Sequence, residues 1–449
     1  MKAGIDLTEG PILKKMLLFA IPVLFTNLLQ QLYNTADSII VGNFAGTDAL
    51  AAVGSTAALT NLIVNLFVGF AAGSNVVCAR CYGAKDSSSL SRTVHTSFLM
   101  AIILGIPLAV LGWVTSENFL GLMGTPDDVI DKAALYMKIY FLGAPAALIF
   151  NYGAAMLRAI GDTKRPLYIL AASGIINVLL NMLCVIGFHM DVVGVALGTI
   201  ASQYASAVAV LAIFLRTSSE LKLKFKKLKI HLQELKQIAL VGIPSGINGC
   251  MFSLSNVILQ SAVNSFGSTV MAANSVACNY SNFAYILVNA GEQACVSFVS
   301  QNMGARKFKR IGRIVMTSML ITCAVELVYS AIICLGGDFF LGLFTKDSAV
   351  IEKAWSYLYV VIAPYVLIIP SMIYGSALRG MGQAILQTII SLVFICFSRV
   401  LWVAYVMPFN NVYEMVFVSY PVSWILAGVA TAVVFYISKH KLVKSTEAI

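Results

Sequence analysis

Ionisable side chains inside long apolar stretches are the most informative residues of this chain. Asp37, Glu292, Glu326 and Arg399 each lie within a run of mostly apolar residues that is about 20 residues long or longer. A charge placed in membrane hydrocarbon costs about 2.5–3.5 kcal/mol on insertion scales, so such residues mark ion pairs, ion sites or solute sites. The chemistry available to them is cation exchange, or recognition of a charged solute, within a membrane.

Asp37 stands out because it continues a polar face. Gln30, Tyr33 and Asp37 are spaced i, i+3 and i+7, so they share one side of an otherwise apolar helix. Such a face must point to the bundle interior or to a watery cavity. We predict that Asp37 takes part directly in function; a structural hydrogen bond is the alternative.

Two further apolar runs carry polar side chains at helical spacing. Asn177 and Asn181 are spaced i, i+4 on the fifth run, and Thr199 lies on the sixth. These groups can join helices, each bond contributing about 0.6 kcal/mol, or supply oxygen ligands to a hard cation beside a carboxylate. Taken alone, their spacing favours the joining of helices.

Glu292 has two interpretations. It either lines a central cavity, where it would attract a cationic substrate or carry a proton, or it pairs locally near one end of its helix. Arg399 suits a structural ion pair or a place at the mouth of a cavity. Glu326 lies in the middle of its run, and we rank both residues below Asp37.

Composition places the chain in a membrane. Of its 449 residues, 59% are hydrophobic and 11% charged, against roughly 25% charged in soluble domains. Runs of this kind must be helices rather than strands, because irregular or unpaired backbone is not left facing lipid. We count twelve membrane-spanning runs, at about 15–42, 49–78, 93–115, 132–156, 167–188, 192–215, 236–264, 270–300, 313–335, 353–377, 385–407 and 413–437.

The chain repeats itself after 221 residues. Phe119-Leu120-Gly121-Leu122 returns as Phe340-Leu341-Gly342-Leu343, and Arg158-x-x-Gly161 returns as Arg379-x-x-Gly382. The repeat aligns Asp37 with an apolar residue, Ile258 or Leu259. A duplicated hydrophobic chain predicts two pseudo-symmetric six-helix lobes that move a solute through the seam between them.

The predicted lobes span residues 12–215 and 236–440, joined by a basic linker at 216–235. Pro22 and Pro244 fall inside the first helix of each lobe and predict a kink, either static or a bend point, because proline removes a backbone donor.

The net charge of +10 follows membrane topology rather than nucleic-acid binding. Of the 30 Lys and Arg residues, 25 fall in the termini and in alternate loops. This asymmetry predicts that both termini are cytoplasmic, in a multi-pass protein of the cell membrane. The amphipathic linker at 218–227 is expected to lie at the anionic lipid surface, with partner binding as the alternative. No cleavable signal peptide is apparent.

Several motifs argue against enzyme chemistry. Asp127-Asp128-x-x-Asp131 resembles a metal–diphosphate motif, but its repeat mate lacks paired acids, so we expect a helix cap. Cys78-x-x-Cys81 has only His95 near it in the sequence, which argues against zinc. No phosphate-binding GKS or GKT sequence occurs. We therefore expect no enzyme activity, no metal site and no cofactor.

At these residues the chain resembles the multidrug and toxic compound extrusion (MATE) family of antiporters, along essentially its whole length. The likeness rests on the two-lobe plan and on five segments taken together. These are Ala20-Ile21-Pro22, Asp37-Ser38-Ile39-Ile40-Val41-Gly42, Tyr82-Gly83-Ala84-Lys85, Met303-Gly304-Ala305-Arg306 and Leu157-Arg158-Ala159-Ile160-Gly161-Asp162-Thr163-Lys164. It is closest to the prokaryotic branch with an acidic residue in the first helix.

The resemblance implies an all-α protein of twelve transmembrane helices around a V-shaped central cavity. It also implies export of amphipathic, often cationic compounds in exchange for H⁺ or Na⁺. The coupling ion would bind at positions matching Asp37, Asn177, Asn181 and Thr199, and substrate at positions matching Gln30, Tyr33 and Asp37, with Glu292 as a substitute for a second-lobe acid. Pro22 matches the family's bending proline.

One position departs from the family pattern, which has an acid where this chain has Asn181. The loss of that carboxylate weakens the attraction for Na⁺ and favours H⁺, although the amide and hydroxyl oxygens remain. We expect a monomer in the lipid bilayer that binds small molecules and no nucleic acid.

Two rivals remain in the comparison of functions. A flippase for a lipid-linked precursor would need a cationic cavity, whereas the intramembrane charges here are mostly acidic. An intramembrane enzyme would need a metal or nucleophile cluster, and the only candidate is the acidic motif that begins at Asp127.

Overall fold

Each long apolar run forms a helix, because only helical backbone satisfies its own polar groups in hydrocarbon. The computed structural model describes residues 4–45, 47–122, 125, 127–217, 220–410 and 412–447, and no strand occurs among them. The α-helices are α1 Ile12–Ile40, α2 Thr47–Gly83, α3 Ser87–Leu122, α4 Asp127–Leu142, α5 Ala144–Ala159, α6 Lys164–Met182, α7 Asp191–Arg216, α8 Leu232–Asn264, α9 Ser268–Gly304, α10 Phe308–Leu335, α11 Gly337–Gly342, α12 Ser348–Tyr357, α13 Ile369–Gly380, α14 Ala384–Ser391, α15 Ser398–Leu401 and α16 Tyr413–Glu447.

Short turns of other helix types extend or interrupt several spans. π-Helical turns occur at Val41–Ala45, Leu183–Gly187, Leu358–Ile362, Leu392–Phe397 and Trp402–Val406. A 3₁₀ turn, Tyr365–Ile368, joins the α12 segment to α13. Inserted π turns free backbone carbonyls from the regular ladder and often occur at functional positions.

The helices account for the twelve predicted spans. In the described part of the chain, ten segments are long and apolar enough to cross a membrane, and the pair α4–α5, bent by 46°, makes an eleventh. The remaining predicted run is α9, which has 37 residues. Polar residues lower its hydropathy, and several of them, including Asn274, Gln301 and Asn302, are buried inside the protein.

The internal repeat extends to the backbone. The bounds of α2, Thr47–Gly83, recur 221 residues later as those of α9, Ser268–Gly304. Lys85 and its repeat mate Arg306 both adopt a left-handed conformation, with φ of 57° and 55°. Gly161 and Gly382 do the same, at 84° and 81°. The two halves therefore end corresponding helices with the same turns, which confirms duplication of the scaffold.

Contacts divide the chain inside helices rather than in the basic linker. One unit comprises Met1–Asp6 and Ile21–Gly246, and the other comprises Leu7–Ala20 and Ile247–Ile449. The boundaries fall beside Pro22 in α1 and Pro244 in α8, whereas the sequence suggested a division at 216–235. Both prolines lie within continuous helices, and their predicted role as bend points stays a prediction.

The linker between the halves is docked by two side chains of α3. His95 Nε2 accepts from the Lys224 backbone N–H at 3.1 Å, and Thr96 Oγ1 accepts from that of His231 at 3.2 Å. Leu221 and Leu223 are buried, while the lysines between and after them are exposed. His95 therefore holds the linker, a role that the sequence did not suggest.

Gly161 packs closely against the N-terminal segment, and a substitution can test that contact. Its left-handed φ and the close approach of the Ile5 carbonyl leave no room for a Cβ atom. We expect Gly161→Ala to destabilise the protein by more than the about 1–3 kcal/mol typical of backbone strain alone. The matched control is Gly267→Ala, since Gly267 has a similar φ of 94° but open space around it. Thermal unfolding in detergent measures both, and equal melting temperatures would contradict the packing argument.

Candidate cation and substrate site

Asp37 lies at the centre of a hydrogen-bonded cluster formed by α1, α6 and α7. Asn181 Nδ2 donates to Asp37 Oδ1 at 2.6 Å, and Thr199 Oγ1 donates to Asp37 Oδ2 at 3.5 Å. Asn177 Nδ2 in turn donates to Thr199 Oγ1 at 3.4 Å. The structure thus brings together all four residues that the sequence and the family resemblance assigned to a cation site.

The cluster contains acceptors that are not used by the protein. Asn177 and Asn181 are 4% and 0% exposed, and the Oδ1 atom of each is buried without a hydrogen-bond partner. Buried polar atoms of this kind require explanation, because leaving them unpaired is costly. Together with the carboxylate of Asp37 and the hydroxyl of Thr199, they form an oxygen-rich set suited to a hard cation.

Two glycines make this arrangement sterically possible. A Cβ atom at Gly198 of α7 would overlap the Asn181 side-chain oxygen, and one at Gly174 of α6 would overlap the ring of Tyr33. The absence of side chains at these positions lets α1, α6 and α7 approach closely enough for the polar groups to meet.

Tyr33 and Gln30 have different environments from that of Asp37. The Tyr33 hydroxyl donates to the Leu170 carbonyl of α6 at 2.8 Å, which fixes α1 against α6. The Gln30 side chain is exposed and lies outside the hydrogen-bonded cluster. The three residues of the predicted polar face thus lie on α1, but only Asp37 belongs to the hydrogen-bonded cluster.

Sequence reasoning missed two tyrosines of α4 near the cluster. Tyr136 and Tyr140 stack with ring centroids 6.1 Å apart, and both interact electrostatically with Asp37. Their i, i+4 spacing on an apolar helix was the available signal. They provide aromatic surface beside the carboxylate, which suits an amphipathic cation.

Glu292 occupies the second of its two predicted environments. Its carboxylate accepts a short hydrogen bond from Arg379, and the two side chains are only 11% and 17% exposed. The carboxylate is thus committed to an ion pair within its own unit, joining α9 to α13. This geometry favours local pairing over the substrate-binding role that the resemblance suggested.

Arg399 corrects another expectation. No carboxylate pairs with it among the residues that the structure describes. Its side chain is 1% exposed, donates to Ser423 Oγ at 3.1 Å and stacks over the ring of Tyr420 at 4.3 Å. The cation is stabilised by an aromatic face rather than by the ion pair or cavity mouth that we predicted.

The two remaining motifs are the acidic motif that begins at Asp127 and the Cys78–Cys81 pair. α4 begins at Asp127, but the side chains of Asp127 and Asp128 lie outside the described residues. Cys78 and Cys81 contact the Met156 carbonyl and Thr93 Oγ1. In the described ranges, no group of three or more His, Cys, Asp or Glu side chains could hold a metal ion.

The Glu292–Arg379 pair predicts a loss of stability rather than of substrate affinity. Glu292→Gln leaves a buried guanidinium without its counter-charge, which costs about 3–5 kcal/mol in buried pairs. We expect a lower melting temperature, partly restored in the double variant Glu292→Gln/Arg379→Gln, with unchanged dye affinity in the folded fraction. Weakened dye binding at unchanged stability would instead return Glu292 to the substrate site.

The sequence and the fold of the chain are similar to those of known transport proteins. The chain is 29% identical over 422 residues to the probable multidrug resistance protein YoeA of Bacillus subtilis, covering 92% of this chain and 90% of that protein. It is 24% identical to the multidrug export protein MepA of Staphylococcus aureus, covering 86% and 85%. A solved MATE family transporter in an outward-facing conformation superposes with a TM-score of 0.91 at 22% identity, covering 98% and 99% of the two chains.

The family model MatE matches twice, at residues 22–183 and 244–406, so the two matches begin at Pro22 and at Pro244. Members of this family are transporters with twelve helices in two lobes, not enzymes. The chain belongs to the MatE family of multi-pass membrane transporters.

Proposed function

We propose that this protein is a secondary active multidrug efflux antiporter that exports amphipathic, often cationic compounds in exchange for H⁺ or Na⁺. The names of YoeA and MepA support the substrate class. The observation that carries the coupling is the Asp37 cluster, a single carboxylate held by neutral donors within the membrane-spanning part of the protein.

The charge of Asp37 has no resident partner in the described residues. Asn181 and Thr199 donate hydrogen bonds, but neither carries a positive charge. A partly buried carboxylate in a membrane requires compensation. A mobile cation supplies it, either the coupling ion or a cationic substrate. Since both compete for one carboxylate, binding of one weakens binding of the other, and this coupling is reciprocal.

The oxygens around Asp37 bear on the identity of the ion. A proton needs only a carboxylate oxygen, whereas Na⁺ needs several oxygen ligands. The unpaired Oδ1 atoms of Asn177 and Asn181 would serve that purpose. Because Asn181 replaces an acid, the site attracts Na⁺ less strongly than a two-carboxylate site. We therefore favour H⁺ and test Na⁺ directly.

Neutralisation of Asp37 would act through α1. The helix runs without interruption from the kinking Pro22 to Asp37, and Thr26 Oγ1 donates to the Pro22 carbonyl at 2.7 Å. Loss of the charge weakens the hydrogen bonds that Asp37 accepts from Asn181 and Thr199. The outer part of α1 is then free to bend at Pro22 and displace bound substrate.

The orientation follows from charge. We propose that both termini and the basic linker are cytoplasmic, as the positive-inside rule requires. In the linker, Leu221 and Leu223 point into the protein while Lys222 and Lys224 are exposed. This alternation supports contact of the lysines with anionic lipid heads. We further propose that the protein acts as a monomer in the bacterial plasma membrane.

The cations of the C-terminal half argue against a flippase for lipid-linked diphosphates. Arg379 is neutralised by Glu292, and Arg399 is 1% exposed beneath an aromatic ring. Neither guanidinium is available to a diphosphate in this arrangement. The charge that remains open to a ligand in the Asp37 cluster is negative, which suits a cationic compound.

Transport in liposomes tests the role of Asp37. We expect Asp37→Asn to reduce gradient-driven efflux of a cationic dye such as ethidium by about tenfold or more. The fold should be preserved, since the amide keeps the size of the side chain. The matched control is Asp131→Asn, an exposed carboxylate on α4. Wild-type rates and an unchanged response to H⁺ and Na⁺ gradients in Asp37→Asn would refute the proposal. Movement of an undecaprenyl-linked substrate, without dye transport, would favour the flippase.

Asn181→Asp identifies the ion. A second carboxylate beside Asp37 should strengthen attraction for Na⁺, so half-maximal stimulation of efflux should need about tenfold less Na⁺, equivalent to roughly 1.4 kcal/mol. Dye efflux is measured over a series of Na⁺ concentrations at constant ionic strength. A variant that remains indifferent to Na⁺ at every concentration would show that Na⁺ does not enter this cluster.

A further inference from the structure

Glu326 is a buried carboxyl of the C-terminal unit, and no group of opposite charge pairs with it among the described residues. Ser318, Thr322, Glu326 and Ser330 are spaced by four along one face of α10 and are 1%, 4%, 0% and 5% exposed. Such spacing places successive side chains on one face of a helix, one turn apart. The four form a continuous polar line inside an apolar span.

Two atoms of this line have no hydrogen-bond partner within the described protein, Glu326 Oε2 and Thr322 Oγ1. The other carboxyl oxygen, Oε1, is 3.3 Å from the Ser330 hydroxyl, which also lies 2.9 Å from the Ile362 carbonyl. A hydroxyl has one proton to donate, and the shorter contact, to the Ile362 carbonyl, takes it. The carboxyl of Glu326 is therefore only weakly hydrogen-bonded to Ser330. An ionised carboxylate is unfavourable in this setting, and a bound proton removes its charge.

The titratable neighbours of Glu326 do not compensate its charge. Cys323 and Tyr329 on α10, and Tyr365 from the turn before α13, interact with it electrostatically and are neutral or acidic groups. Arg399 interacts with Tyr365 and is stacked on Tyr420. α9 and α13, which pack against α10, also carry Cys278, Tyr280, Tyr285, Glu292, Cys295, Tyr374 and Arg379, and the two charged groups among these pair with each other. α16 brings Lys439 close to Gly312, near the start of α10 and several turns away from Glu326.

Glu326 is absent from the duplicated scaffold. Its repeat mate on α3 is Gly105, and the mates of Thr322 and Ser330 are Ala101 and Ala109. Packing at these positions therefore does not require polar groups. Glu292 is also present in only one copy, but Arg379 neutralises it. A buried carboxyl that is present in one copy and has no such counter-charge among the described residues suits a use other than holding the helices together.

The backbone beside Glu326 is irregular. The Ser330 hydroxyl donates to the carbonyl of Ile362, which is the last residue of the π-helical turn Leu358–Ile362. Pro364 and the 3₁₀ turn Tyr365–Ile368 follow. The Tyr365 hydroxyl lies 3.4 Å from the Ser281 carbonyl of α9. Breaks of this type allow a segment to shift with little loss of regular hydrogen bonding, so the partners of the carboxyl can change between conformations.

We propose that Glu326 is a second proton-binding site of this transporter, which takes up and releases a proton during each cycle independently of Asp37. Ser318 and Thr322 form the polar approach to it from the first half of α10. Movement of the irregular segment 358–368 changes the donors that surround the carboxyl and so changes its affinity for the proton. The proposal rests on ion-driven transport but not on the role of Asp37.

Proton stoichiometry tests this site. Wild type and Glu326→Gln are reconstituted in liposomes, and ethidium flux is followed while the H⁺ gradient is varied at a clamped membrane potential. The gradient at which net flux vanishes gives the number of protons exchanged per substrate. We expect Glu326→Gln, which imitates the permanently protonated side chain, to lower this number by one. The control Glu352→Gln, an exposed carboxyl of the same unit, leaves it unchanged.

An unchanged number in Glu326→Gln would overturn the proposal, because it would mean that the carboxyl stays protonated throughout the cycle. Infrared difference spectra of the wild type give a second readout, should that variant fold poorly. The carbonyl stretch of a protonated carboxyl should appear and disappear with pH, and it should shift in frequency in Glu326→Asp. A wild-type spectrum without such a titrating band would also overturn it. Failure at Asp37 alone would instead abolish gradient-driven export while this band remained.

Discussion

The need to satisfy every polar group in the absence of water governs this protein. The backbone meets it by forming helices, and three arrangements of ionisable side chains besides that of Glu326 meet it in different ways. Glu292 and Arg379 neutralise each other, and Arg399 lies against an aromatic ring. Asp37 is held only by neutral amide and hydroxyl donors. The first two arrangements supply a partner for the charge, whereas the third leaves a carboxylate without a counter-charge among the described residues, which is the basis of the proposed coupling.

The two halves share a duplicated helical scaffold, whereas each candidate functional residue occurs in only one half. The two halves agree closely in backbone structure. Gly161 and Gly382 form the same left-handed turn, and the bounds of α2 correspond to those of α9 at the repeat spacing of 221 residues. The functional candidates do not follow this symmetry, since the repeat aligns Asp37 with an apolar side chain and Glu326 with Gly105. A symmetric pair of ion sites would bind two equivalent ions. Unequal halves can bind ion and substrate at different places and at different stages of a cycle.

Helix content and the repeat could be predicted from the sequence because each depends on local spacing or composition. The Asp37 cluster joins helices far apart in sequence, and its four residues were expected together only from the family resemblance. Hydropathy locates spans, and the i, i+4 spacing of Asn177 and Asn181 places both amides on one face. The pairing of Glu292 with Arg379 could not be predicted, since it joins helices far apart in sequence and depends on how they pack. The same holds for the docking of Lys224 on His95, and for Arg399, whose aromatic partner leaves no charge pattern in the sequence.

Coupling requires a carboxylate that is bound well enough to be positioned and weakly enough to be exchanged. An ion pair such as Glu292–Arg379 is too stable for this purpose, because removing one partner of a buried pair costs about 3–5 kcal/mol. A hydrogen bond from a neutral donor to a charged group contributes about 1.5–3 kcal/mol, so an incoming ion can replace it more readily. Asn181 and Thr199 therefore orient Asp37 without neutralising it. In the proposed mechanism, Asn181 preserves that orientation without adding a second negative charge, so a single cation would neutralise the site.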